Sequence, residues 1–147
     1  MANELTKVNG TEKTLVSSGA SVSNAAVSAA PAASYSIAAD GGGFPFVRFV
    51  LTTSFGAAPT VGKTIALLIR PLNIDGTADA PAPSTTYLQK YVGSFVVSAD
   101  TSQSLALQVE RPLPDEFDAY VYNVDTGQGM SAGWTLKATP YTYKPAA

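Results

Sequence analysis

No window of helical length in this chain keeps an apolar stripe at 3.6-residue spacing, because 12 glycines and 10 prolines interrupt it throughout. What recurs instead are short β-branched and aromatic runs between clusters of Gly, Pro, Asp and Ser, at the intervals of sandwiches and barrels. They predict strands near 35–39, 44–54, 64–72, 86–98, 103–110, 116–124 and 133–143. Alternation is clearest over 104–110, where Leu105, Leu107 and Val109 take the core face and Gln108 and Glu110 point outward. Residues 46–51 and 65–69 are apolar on both faces, which marks central strands, or strands whose outer face another chain covers. Asp40-Gly41-Gly42-Gly43, Asp75-Gly76-Thr77 and residues 125–129 supply turn chemistry, and Ala80-Pro81-Ala82-Pro83-Ser84 a stiff extended connection. This inventory fits an all-β chain, an antiparallel sandwich of jelly-roll type if the N-terminal segment supplies one strand. An immunoglobulin-like sandwich is the alternative.

The N-terminal segment is a different material. The first aromatic residue is Tyr35, although aromatics make up 10% of the chain. A stretch of Ala, Ser, Val and Thr cannot by itself bury enough surface to offset its ordering entropy. Either it adds a strand to the domain's own sheet, with Leu15, Val16, Val22 and Val27 as contacts, or it lies across a neighbouring subunit. The expectation is the second: an extended arm over 1–34 and a sandwich domain over 35–147, with Leu5, Val8, Leu15, Val16, Val22 and Val27 as partner-binding residues. On that reading a chain lacking residues 2–30 still folds but no longer binds its partner.

Catalytic and cofactor classes are narrowed by composition. With no Cys and no His, the chain lacks thiol chemistry, the usual neutral-pH base and the usual zinc ligand. Residues 55–70 contain Gly62-Lys63-Thr64, the tail of a phosphate-binding loop. The required first glycine is replaced by Ala57, Pro59 removes an amide donor, and Ile65–Ile69 reads as a strand where that loop needs a helix. The carboxylates Asp115, Glu116 and Asp118 lack a second acidic cluster or an apolar ring to raise one pKa. The oxygen-rich 73–79 loop misses calcium-loop spacing. The expectation is no enzyme, no cofactor and no metal.

Nine Lys and Arg against 11 Asp and Glu, scattered singly, give a net charge of −2 and no basic run, so nucleic acid is not an expected partner. Charged residues are only 14% of the chain. So neutral a surface suits a protein covered by partners, or is simply a Ser/Thr/Ala-rich exterior. No stretch reaches the roughly 20 apolar residues of a membrane helix, and the start lacks the pattern of an export signal, so a soluble, unprocessed chain is expected. Tyr120, Tyr122, Trp134, Tyr141 and Tyr143 suit stacking on sugars as well as ordinary cross-strand pairing. Tyr120 and Tyr122 share one face of their strand, as do Tyr141 and Tyr143 of theirs, which leaves an aromatic stripe for a partner, a protein in preference to a glycan.

Two stretches, Ala66-Leu67-Leu68-Ile69-Arg70-Pro71-Leu72-Asn73-Ile74-Asp75-Gly76-Thr77 and Ser131-Ala132-Gly133-Trp134-Thr135-Leu136-Lys137-Ala138-Thr139-Pro140-Tyr141, resemble those of small all-β virion proteins of tailed bacteriophages. The resemblance is one of style, covers residues 35 to 145 and carries no catalytic signature. It implies a capsid decoration or cement protein, often a homotrimer, that binds the major capsid protein of the shell. A tail, baseplate or fibre component is similar in composition.

Overall fold

The computed structural model describes residues 4–88 and 90–146, and among them there is no helix. Ten strands form: β1 (Leu5–Asn9), β2 (Lys13–Gly19), β3 (Ala26–Val27), β4 (Tyr35–Ser36), β5 (Phe46–Ser54), β6 (Thr64–Pro71), β7 (Tyr91–Val96), β8 (Ser102–Val109), β9 (Glu116–Asn123) and β10 (Trp134–Pro145). In the first sheet, β1 and β2 lie end to end along one side of β10, followed by β5 and β8. In the second, β3 and β4 lie end to end along β9, followed by β6 and β7. Every pairing is antiparallel. Taking β1 with β2, and β3 with β4, as single strand positions leaves eight. They run 1-8-3-6 in one sheet and 2-7-4-5 in the other, the chain crossing between sheets at every step except the β6–β7 link. This is jelly-roll topology.

β5 and β6, the strands apolar on both sides, are each central in their sheet, so both have neighbours to cover them. Val47, Phe49 and Leu51 of β5 face Ile65, Leu67 and Ile69 of β6 and Phe117, Ala119 and Val121 of β9 across the core. Phe117 is its hub, with ring centroids 5.3 Å from Tyr35 and 6.3 Å from Phe49. Two predicted strands are shorter than expected. Over 35–39 only Tyr35–Ser36 pair, because Asp40 Oδ2 accepts the Ser36 N–H at 2.7 Å and turns the chain. Of 86–98 only Tyr91–Val96 is strand, and Gln89 lies outside the described residues.

The N-terminal segment is built into this chain's own two sheets, where its composition suggested a separate arm over residues 1–34. Leu15, Val16 and Val22 are buried in this chain's own core. Register shifts between β10 and β2 break the strict alternation of a strand, so the consecutive residues Leu15 and Val16 both turn inward. The segment then crosses to the second sheet. Val22 and Met130 exchange both backbone hydrogen bonds at 3.0 and 2.8 Å, and Ser28 binds Val121 through its N–H (2.8 Å) and its Oγ (3.1 Å). A stretch without aromatic side chains is ordered this way because backbone pairing needs no bulk, and three aliphatic side chains supply the anchoring.

Candidate interaction surfaces

The side chains singled out in the sequence separate into three environments. Leu15, Val16 and Val22 are buried in the core. Trp134, also buried, donates its Nε1–H to Ala20 O at 2.7 Å and presents no face to a sugar. Tyr141 and Tyr143 lie on the outer face of the first sheet, Tyr120 and Tyr122 on the outer face of the second, so they form no single stripe. Leu5, 65% exposed near the start of β1, and half-buried Val8 lie along the distal half of β10. Val27 stands beside Tyr122 on the second sheet.

The Tyr141 end is closed by its own neighbours. Tyr141 and Tyr143 meet edge to face at 5.8 Å, Phe46 packs 5.6 Å from Tyr141, and Lys7 Nζ sits 4.1 Å over the Tyr141 ring. Both hydroxyls donate to Glu110 Oε1, at 3.3 and 2.8 Å. Tyr143 alone of the pair is partly open, at 38%. Burial and the nearby Glu110 charge push the Tyr141 hydroxyl up to about 12, and burial with Asp40 does the same for Tyr35. A tyrosine so raised favours its neutral form in the folded chain. Its contribution is therefore complete below about pH 10 and is lost as pH climbs from there towards 12. Asp125 has the opposite sign: the Lys63 ammonium and the Thr64 N–H hold it below the usual carboxylate range, so its contribution is lost only in acid. With no histidine between these limits, the thermal midpoint is expected to stay level from about pH 5 to 9 and to fall above about 10. Tyr35→Phe should shift that alkaline limb upward, a change read by melting curves across pH.

The remaining candidates are engaged in local structure. Lys63 pairs with Asp125 at 3.0 Å, and the glycine before it, at φ 79°, turns the chain into β6 and not into a helix. Asp118 accepts from Ser34 Oγ at 2.6 Å and lies 3.6 Å from Arg70, while Glu116 accepts from Asn73 Nδ2 at 2.6 Å. Asp75 caps its own loop, taking the Ala78 and Thr77 N–H groups. A hollow of about 700 Å³ is an open groove at the β1–β2 corner whose Lys13 and Asp40 neutralise one another at 2.7 Å.

What the sequence did not single out is the outer face of the second sheet as a unit. Alternation turns Ala66 and Leu68 of β6 away from the core, and register places them beside Tyr122 and Tyr120 of β9. Ala66, Leu68 and Tyr120 form a second buried cluster, with Val27, Tyr122 and Val124 packed against it. On the neighbouring β7, Tyr91 and Val96 stand on this same face, opposite Leu68 and Thr64, and are 57% and 58% exposed. Tyr87 and Leu88, also exposed, precede β7. Arg70 and Asp118 close one end of the face with a pair at 3.6 Å. A sheet that is apolar on both sides, with large side chains open to solvent on the second, has the composition of a protein contact surface.

Comparison of the chain with protein-family models, curated proteins and solved structures gives no match. Fold and surface together define an all-β jelly-roll sandwich with one apolar outer face.

Proposed function

We propose that the chain is a structural protein of a tailed-bacteriophage virion, a decoration protein that attaches to the capsid shell through the outer face of the second sheet. The observation that carries this reading is that face: a buried apolar cluster outside the main core, continued by exposed Tyr91 and Val96. Three further points support it. The resembling stretches occupy β6 with its following turn, and β10 with its approach. Jelly rolls are a recurrent architecture of capsid domains, as they are of lectins. A surface carrying few charges lowers the desolvation cost of contacts that symmetry repeats over a shell. Of the N-terminal segment's apolar residues, Leu15, Val16 and Val22 are spent on the core, and Val27 lies on the outer face of the second sheet.

The test is co-sedimentation with empty shells of the phage whose genome encodes the chain, assembled without it. The wild-type chain should saturate the shells, and the double variant Tyr91→Ser, Val96→Ser should bind at least about tenfold more weakly while melting normally. Undiminished binding by the double variant would move the contact elsewhere. Absence of shell binding, with the chain recovered in tails, would favour a tail component. A specific hit on a glycan array would favour a carbohydrate-binding module.

A further inference from the structure

Three of the sandwich's four edges carry a device that blocks strand addition. β3 and β4 are two residues each. β1 and β2 are separate pieces bearing Lys7 and Lys13, and β2 is bulged against β10. β7 is bulged opposite Leu67 and Leu68, and the Arg111 guanidinium donates to its Tyr91 and Val92 carbonyls at 2.9 and 3.1 Å. The fourth edge, β8, has none of these. Its eight residues, Ser-Gln-Ser-Leu-Ala-Leu-Gln-Val, contain no charge, proline or glycine, and pair with β5 in unbroken register from Ser102 to Val109.

The ladder's phase shows what β8 offers. Phe55 N–H donates to Thr101 O at 2.8 Å, so the odd-numbered residues turn their backbone groups towards β5. Ser102, Ser104, Ala106 and Gln108 therefore present N–H and C=O outward, and all four are exposed. Beneath them Leu105 and Leu107 are only half buried against the core, with Leu107 lying over Gly93 of the opposite sheet.

We propose that β8 pairs antiparallel with β8 of a second copy, about a two-fold axis through Ala106, joining the first sheets of two chains into one. The occupant follows from the strand's self-match. With Ala106 opposite its own copy, Ser104 meets Gln108 and Leu105 meets Leu107 twice, so half-buried leucines cover one another and no like charges meet along the strand. A strand edge pairs with itself only about a two-fold axis, so this contact makes a dimer and not the trimer that the sequence resemblance implies. It leaves the outer face of the second sheet open and does not depend on what that face binds.

Solution mass of the full chain, measured by light scattering over a concentration series, reads the proposal directly. A ladder of this length sits at the small end of stable interfaces, which is why the series is needed. The mass should rise from 15.1 kDa towards twice that value. Ala106→Lys places two ammonium groups on the axis at an exposed position and should weaken association at least about tenfold without lowering the melting temperature. Because the chain has no cysteine, Ala106→Cys carries the sole thiol. Cα atoms of such a pair lie about 5.5 Å apart, within disulfide reach, so mild oxidation should give a covalent dimer. Thr52→Cys, exposed on central β5, should not. A monomeric or trimeric mass throughout the series, a dimer that survives Ala106→Lys, or no cross-link at position 106 would each overturn the proposal.

Discussion

Deleting residues 2–30 is expected to abolish cooperative folding, leaving a chain that gives no sigmoidal melting transition and partitions into the insoluble fraction. The segment contributes Leu15, Val16 and Val22 to the core, and full burial of an aliphatic side chain is worth about 1.5–3 kcal/mol. Three such losses approach the whole stability of a domain, about 5–15 kcal/mol. The deletion also unpairs one side of β10 and part of β9 and leaves the buried Trp134 Nε1–H without its Ala20 acceptor. A truncated chain that melts like the full one would show that the segment is dispensable, as an arm would be. Thermal unfolding of both chains, followed by circular dichroism, decides the matter.

Gly19→Ala is expected to be the most damaging single-methyl addition in the chain. Gly19 pairs with Trp134 across the β2–β10 ladder, and a Cβ there would fall 2.0 Å from indole Cε2 and 2.3 Å from Nε1. A rigid, buried ring has nowhere to yield, so either the indole leaves its site or β2 leaves β10. Overpacking together with the lost hydrogen bond should cost about 3 kcal/mol or more. At roughly 2–4 °C per kcal/mol for a domain of this size, the midpoint should fall by about 10 °C. Gly56→Ala is the control, since its added Cβ meets nothing within 4 Å. Trp134 is the only tryptophan, so its fluorescence reports the displaced ring directly. A midpoint within about 1 °C of wild type would contradict the packing described here.

Strands that carry their own bulk were legible from sequence. β5, β6, β8, β9 and β10 carry runs rich in aliphatic, β-branched or aromatic residues, and their ends fall within two residues of the expected ones. β5 and β6 take central positions, one of the two readings that runs apolar on both faces allow, the other being a strand covered by another chain. The N-terminal strands were misjudged. Their order comes from pairing with β10 and β9, over a hundred residues away, and local composition carries no trace of that. The same non-locality hid the candidate surface. Tyr122 and Tyr120 could be assigned to one face of their strand, but only the register with β6 and β7 adds Ala66, Leu68, Tyr91 and Val96 to it. Tyr141 looked equivalent to Tyr120 in sequence, yet Lys7, Phe46 and Tyr143 close over it.

If the chain is the virion protein proposed above, electron cryo-microscopy of the intact particle that carries it is the sharpest test of how it docks. The account predicts a jelly-roll density on the outside of the shell, with Tyr91, Val96 and Tyr122 turned towards the capsid subunits. Density confined to the tail, or a shell-bound sandwich whose second sheet faces solvent, would contradict it.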